Sequence, residues 1–513
     1  MQTLSSGNCA ASPVRRMRAP VGKSTQGKAV RATLRACTAI ICLSAMASVG
    51  HAQTGTIVQL FGFPCAQQTG NCPAGASPDV LIQASDGNLY GAAEVSGELP
   101  QGGTIFKITP SGQFTRLFAF PAGGSGNYLE GSLPATALVE ANDGFIYGTT
   151  YSGGAAALGV LFRISKTGKD FKVVHSFCSA ANCADGSLPN SLILGQDGSL
   201  YGVAEAGGSN NSICVHDGGC GTIFRFTPPS TFTTLFEFDG STEISRTPIA
   251  LIQGADGNFY GAGANVFSFT PSGVFTVLAT FPLFPPPFVI NSADSQLVQA
   301  SSGTLYGALK AYELNQAQFY EIDPSGSNFQ LFPQIGILSG FFIGSTIQAS
   351  DGNLWTAFSY TSDTNGGILA MSPETGAILQ NISFSNTNAS LPDGGVIQGA
   401  DGKIYGTATN GGTVAKGKMA GGTVWSLDAG LPAPAGTVAT FTPASGAVGS
   451  EVTIRGSRFI GTTAVTFNGV SAAFTVLNTS FITTTVPAGA TSGPIAVKNL
   501  GGTTVSTEQF TVQ

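Results

Sequence analysis

The chain has 513 residues, of which 10% are charged and 70 are glycine, with a formal net charge of −6. So little Lys and Glu beside so much Gly excludes a mainly helical protein and favours short strands joined by tight turns. No basic stripe follows the first 35 residues, which excludes nucleic acid as the expected partner and leaves neutral polar ones, glycans or protein surfaces.

In chain order the first element is an export signal. Arg31 and Arg35 precede the apolar run "ACTAIICLSAMASVG" at 36–50, and Gly50 and Ala52 stand where a signal peptidase reads small residues. Cleavage is expected after Ala52, so residues 1–52 form an N-terminal extension and signal peptide. The run is too short to span a bilayer, and no transmembrane segment is expected once it is removed. Met17 is a candidate alternative start. The stretch "VGKST" at 21–25 is not a phosphate loop, because Met17 stands where the required Gly would be.

Three cysteines, Cys9, Cys37 and Cys42, fall in that segment. The remaining six form close pairs, Cys65 with Cys72, Cys178 with Cys183 and Cys214 with Cys220. An even number in local pairs in an exported chain predicts three loop disulfides. The spacings match no zinc knuckle and His is scarce, so no metal site is expected.

A repeat occupies the middle of the chain. "LIQASDGNLYG" at 81–91 holds Asp86, and related stretches hold Asp143, Asp197, Asp256, Asp351 and Asp401, with Ser302 in the Asp place of the fifth copy. Seven copies of strand-like sequence recurring every 46 to 59 residues predict a seven-bladed β-propeller. Each copy has four pieces; in the first they are "VLIQA", "NLYGAA", "GTIFKIT" and "FTRLFAF". The seventh copy stops after three. The orphan "GTIVQLFGF" at 55–63 is of the missing type, so it is expected to complete the last blade and close the ring over 53–429. The Asp-Gly and Pro-Ser-Gly turns then share one face, and the long junctions, with all three Cys pairs, share the other.

Pro and Gly in "LDAGLPAPAG" mark a linker at 430–436. Residues 437–513 have a turn about every ten residues, the pattern of a small Ig-like β-sandwich. The fold class expected is therefore all-β: a seven-bladed propeller followed by a sandwich.

The stretch "LIQASDGNLYG", the Gly-Gly-Thr-Ile-Phe step at 102–106 and "ITPSG" at 108–112 resemble the GloVer tandem repeat of exported bacterial "choice-of-anchor" proteins. In the tail, "TPASGAVGSEVTIRGSRF" at 442–459, "VTFNG" at 465–469 and "VPAGATSGPIAV" at 486–497 resemble an IPT/TIG domain. The resemblance implies export and surface association and fixes no activity. The chain departs from the family name in having no evident anchor segment.

A catalytic carboxylate is needed once, whereas Asp86 and its equivalents recur in nearly every copy, each before a Gly. They are read as turn residues. The recurring aromatic, Tyr90, Tyr147, Tyr201, Tyr260, Tyr306, Trp355 and Tyr405, is read as a wedge between blades. His51, His175 and His216 make neither a metal triad nor a Ser-His-Asp set. The copies disagree four residues after each aromatic: Glu94, Tyr151, Glu205, Ala264, Lys310, Ser359 and Thr409. Glu94, Tyr151, Glu205 and Lys310 are the candidate ligand-binding residues around the mouth of the axis, the alternative being ordinary loop positions.

The expectation is a secreted or surface-held monomer that binds an extracellular glycan or protein, with no catalytic residue and no cofactor. Two alternatives are a propeller hydrolase or lyase acting on extracellular polysaccharide and a purely structural envelope component.

Overall fold

The computed structural model describes residues 55–67, 71–95, 102–121, 128–134, 138–208, 219–239, 248–263, 265–281, 292–293, 296–311, 316–332, 341–360, 365–392 and 394–513. The expected signal peptide lies outside them. The described residues form strands and turns, with one short 3-10 turn at Ala181–Cys183.

The repeat region folds into seven sheets of four or five strands, and the tail into two more. The first copy gives Ala76–Gln83, Leu89–Val95, Thr104–Ile108 and Phe114–Ala119, paired antiparallel in that order. We number the blade-like sheets 1 to 7 by the copies holding Asp86 to Asp401. The seventh consists of Val396–Gln398, Ile404–Ala408, Lys418–Asp428 and, at its outer edge, Thr56–Ala66. The N-terminal strand runs three residues further than the expected 55–63. It carries Cys65 into the sheet, opposite Met419, rather than leaving it in a loop.

Three kinds of contact join neighbouring sheets, and each boundary carries at least one of them. Nearest the axis is the Gln of "LIQ". Gln83 donates to its own turn at Gly87 O (3.0 Å) and accepts from Ala400 N of sheet 7 (2.8 Å). Gln253, Gln299, Gln348 and Gln398 likewise accept from Gln196, Ala255, Ser301 and Ser350 of the preceding sheets. Glu140 takes the same role toward Ser85 N (2.7 Å), and its buried carboxylate pairs with Lys166, which stands in the Pro place of "TPSG". Only Leu194 of sheet 3 cannot make this bond.

Midway, a Gly of one sheet faces a Pro of the next: Gly103 and Pro134, Gly159 and Pro189, Gly221 and Pro248, Gly366 and Pro392, and at the closure Gly422 and Pro78. At the outer strands aromatic rings stack across the boundary. Phe61 lies on Phe114 (4.0 Å), Phe118 on Phe171 (3.9 Å), His175 on Phe232 (3.6 Å) and Phe236 on Phe275 (4.7 Å). These contacts pass from sheet to sheet and return from sheet 7 to sheet 1, so burial of each sheet depends on both neighbours.

The tail is a two-sheet sandwich. Alternate residues of Glu451–Ser457 point inward, and Val452 and Ile454 pack with Phe467, Ile482, Ile495 and Phe510. The sandwich rests on the Asp-Gly face of the repeat region, a placement the sequence did not suggest. Asn478 Nδ2 donates to Asn142 Oδ1 of sheet 2 (2.7 Å), beside the boundary where Leu194 leaves the Gln contact unmade. Arg455 Nη1 donates to Gln196 Oε1 of sheet 3 (2.8 Å), and Arg458 Nη2 donates to Gln348 O of sheet 6 (3.1 Å). The linker follows the same face, where Pro432 O accepts from Ser350 Oγ (2.6 Å) and Gln398 Nε2 (3.3 Å). Arg455 and Arg458 are three residues apart yet reach sheets 3 and 6, so one short segment of the terminal domain ties together sheets three copies apart.

Candidate functional site

The recurring Asp and the recurring aromatic hold each other. Asp86 Oδ1 accepts from Asn88 N (3.1 Å), closing the turn, while Oδ2 accepts from Tyr90 Oη (2.8 Å). The same bond to Asp joins Tyr147 to Asp143 (2.7 Å), Tyr201 to Asp197 (2.9 Å), Tyr260 to Asp256 (2.7 Å) and Tyr405 to Asp401 (2.7 Å). Where Trp355 replaces Tyr, its indole N–H donates to Asp351 (3.2 Å). Where Ser302 replaces Asp, Tyr306 Oη turns to Pro373 O (3.2 Å). Each substitution keeps the buried donor satisfied, as a structural role requires. These carboxylates are spent on turns and aromatic anchors.

The ionisation of these groups follows. Burial acts to raise the Asp86 carboxyl, but hydrogen bonds from Asn88 and Tyr90 outweigh it and hold it below its usual range. Asp256 is lowered in the same way against the same burial. Burial, then the bond to Asp, pushes Tyr201 and Tyr260 up to about 12, and Tyr90, Tyr147 and Tyr405 are also raised. A raised Tyr stabilises the fold fully below its unfolded value near ~10 and loses that contribution as pH rises through the folded value. A lowered Asp contributes above its unfolded value near ~4 and loses that contribution as pH falls through the folded one. In a spectrophotometric titration the ring tyrosines are therefore expected to stay protonated past the ordinary tyrosine range. Tyr201 and Tyr260 should ionise only near pH 12 or with unfolding, and the others only well above the ordinary range. Ordinary titration of all tyrosines with the fold intact would contradict the clamp.

Two of the expected disulfides are present, Cys65–Cys72 and Cys178–Cys183. Cys220 is also disulfide-bonded, and Cys214 lies outside the described residues. The Cys178–Cys183 loop is organised by buried Asp185, which accepts from Ser179 Oγ (2.8 Å), Ser179 N (3.0 Å) and Ala180 N (3.1 Å) and pairs with His175 Nε2 (3.0 Å). Ser179 bonds the aspartate and not the imidazole, so this is no nucleophilic triad. Burial outweighs Asp185 and lowers the His175 pKa. His216 lies outside the described residues. Among the described residues no group of three or more His, Cys, Asp and Glu side chains could hold a metal ion, and no helix is long and apolar enough to cross a membrane.

The positions where the copies disagree have unlike surroundings. Glu94, Tyr151 and Glu205 lie toward the long-loop ends of the second strands of sheets 1, 2 and 3. Tyr151 is 39% exposed, and its hydroxyl is raised by desolvation and then by the negative charge of Glu205 in the neighbouring sheet. Desolvation also raises the carboxyls of Glu94 and Glu205. Lys310 pairs through its backbone with Ser292 and Ala317, and its side chain and Ala264 lie outside the described residues. Ser359 is fully buried, and Thr409 donates its hydroxyl to Leu391 O (3.1 Å), so those two are structural. Tyr151 and Glu205 are the pair the fold brings within electrostatic reach.

A family model described as Gloeobacter/Verrucomicrobia repeat matches residues 43–265, and one described as IPT/TIG domain matches residues 437–512. The chain carries the Gloeobacter/Verrucomicrobia repeat and ends in an IPT/TIG domain. The repeat match takes in the copies of Asp86, Asp143, Asp197 and Asp256, all with the Asp–Tyr bond. It stops before the two copies that break the pattern at Ser302 and Trp355. No curated protein matches the chain. Solved structures of similar shape include a fungal alcohol oxidase of the AA5 family in complex with copper (13% identity, 90% of this chain, 99% of that one, TM-score 0.46). An oligogalacturonate lyase in complex with manganese is also similar (11%, 74% and 98%, TM-score 0.45). So is PorZ, a surface component of the type-IX secretion system of Porphyromonas gingivalis (14%, 84% and 58%, TM-score 0.42). No activity passes to this chain from similarity at those levels.

Proposed function

We propose that the protein is an exported, non-catalytic binding protein, secreted or held at the cell surface, that takes an extracellular glycan or protein at its long-loop face. In this reading residues 1–52 are removed on export. Residues 53–429 form one seven-bladed ring closed by the N-terminal strand, residues 430–436 are the linker, and residues 437–513 are the terminal domain. Glu94, Tyr151, Glu205 and Lys310 contribute the recognition surface. The observation that carries the reading is that the repeat's own polar residues are consumed by turns and sheet-to-sheet bonds, while Tyr151 and Glu205, unlike each other and partly desolvated, come within electrostatic reach where the copies differ. Disulfides in the chain support an oxidising compartment. The test is a glycan array together with a secreted-protein pull-down, using the purified chain and a variant with Glu94, Tyr151, Glu205 and Lys310 all changed to Ala. The expected result is a ligand retained by the parent and lost by the variant. Equal retention by both would refute the site.

One observation favours the polysaccharide-cleaving alternative: Glu94 and Glu205 both have raised carboxyls, as a general acid requires. Release of shortened chains from any polysaccharide retained on the array, lost in Glu94→Gln or Glu205→Gln, would establish it over simple binding.

A further inference from the structure

Between the terminal domain and the feet of sheets 1 and 7 lies a cavity of about 240 Å³, bordered by Leu81, Ile82, Ile397, Pro434, Ile460 and Arg458. A dry cavity of roughly 150 Å³ already admits a benzene ring, so this one has room for a small organic molecule. Its walls are mainly aliphatic. The two amides at its edge are engaged elsewhere: Gln83 and Gln398 each bridge their own turn and the preceding sheet.

Arg458 differs from the rest of the lining. It is the one charged residue among those that border the cavity. One guanidinium nitrogen donates to Gln348 O, and no carboxylate pairs with it among the described residues. Arg458 is exposed at the mouth of the cavity, although the protein packed around it still lowers its pKa, with no opposing charge to offset the effect. Its backbone is in the left-handed region, at φ 57°, a conformation that costs free energy in a non-Gly residue and is kept where the surroundings enforce it. The exposed Thr479 hydroxyl at the same border has no protein hydrogen-bond partner among the described residues and is open to a ligand entering from solvent. An uncompensated guanidinium fork beside an aliphatic wall, with a free hydroxyl near it, matches a carboxylate joined to an apolar body.

We propose that this cavity binds a small organic carboxylate, its carboxyl group on Arg458 and Thr479 and its apolar body against Ile82, Ile397 and Ile460. The site lies on the Asp-Gly face, opposite the residues proposed to take the glycan or protein, so either assignment can fail without the other. The experiment is calorimetric titration of the full chain with benzoate, its neutral isostere benzamide and inorganic phosphate. Benzoate is expected to bind at least about tenfold more tightly than benzamide, the increment of a charge-assisted hydrogen-bonded pair. It is also expected to bind more tightly than phosphate, which has no apolar body. Arg458→Met should abolish the preference for benzoate. Arg458→Lys, which keeps the charge but not the fork, should retain part of it and guards against a folding defect in the first variant. No benzoate binding, equal binding of benzoate and benzamide, phosphate as tight as benzoate, or an unchanged preference in Arg458→Met would overturn the proposal.

Discussion

A chain lacking residues 55–66 is expected to lose its cooperative unfolding transition and to associate. Thr56–Ala66 is the outer strand of sheet 7, and it is encoded more than 350 residues away from the strand it pairs with, Gln59 lying opposite Trp425. The Gln59 side chain fixes that register, accepting from Thr413 N (2.8 Å) and donating to Thr413 O (2.8 Å). Phe63 is fully buried, edge-on to Phe106 (5.4 Å) and Phe114 (5.6 Å) of sheet 1, and Phe61 stacks on Phe114. Removing the strand uncovers the edge of Lys418–Asp428 and the aromatic face of sheet 1 together. Two Phe side chains lost from burial amount to about 3–6 kcal/mol, comparable with the net stability of many domains, and the bare edge is a template for association. The deletion orphans Cys72, so the comparison is with a full-length Cys65→Ser, Cys72→Ser chain. Denaturant unfolding and gel filtration report the outcome. A truncated chain that stays monomeric and unfolds at the control's midpoint would show that the ring is not closed by this strand.

Gly422→Ala is expected to cost about twice as much stability as Gly87→Ala, although both glycines have positive φ, +111° and +78°. At Gly87 an added Cβ meets nothing within 4 Å, leaving the left-handed backbone cost of about 1–2 kcal/mol. At Gly422 it would fall 2.5 Å from Pro78 Cδ and 2.6 Å from Ala408 O. Overpacking there adds about 1–3 kcal/mol, because neither the ring of a proline nor a strand carbonyl can swing aside. This is the joint where sheet 7 meets sheet 1, so the strain falls on closure itself. Thermal or denaturant unfolding of the two variants checks the ratio. Equal losses would mean that the Gly–Pro contacts do not hold the sheets in place.

Much of this was legible in the sequence because it repeats. Asp86 could be read as a turn residue since it recurs before Gly, and the orphan strand could be placed since the seventh copy lacks one. The partnership of Asp86 with Tyr90 was not legible, because the two exceptions fall in different copies, Ser302 beside a retained Tyr306 and Trp355 beside a retained Asp351. The Gln of "LIQ" does recur in the sequence, but its sheet-to-sheet bond is hidden there because a recurring polar residue beside apolar ones reads as mere alternation. The docking of the terminal domain was not legible. Asn142, Gln196, Arg455, Arg458 and Asn478 occupy positions with no periodic counterpart, and a contact between two non-repeating side chains leaves no trace in a single sequence. Among the candidate residues, sequence could mark Glu94, Tyr151, Glu205 and Lys310 as departures from the repeat. It could not show that desolvation acts on the two glutamates, that the charge of Glu205 reaches Tyr151, or that Ser359 and Thr409 at equivalent positions are structural.

On the proposed reading the repeated Asp–Tyr pairs build the scaffold and recognition lies where the copies differ. The direct measurement is affinity for the strongest array ligand beside the melting temperature, for Asp86→Ala and Asp256→Ala on one hand and the Glu94, Tyr151, Glu205, Lys310 alanine variant on the other. Each Asp variant is expected to lose about 1–3 kcal/mol of stability, the cost of stranding a buried hydroxyl, with affinity unchanged, and the four-residue variant to lose affinity at an unchanged melting temperature. Loss of affinity in the Asp variants, with the four-residue variant still binding, would contradict that reading.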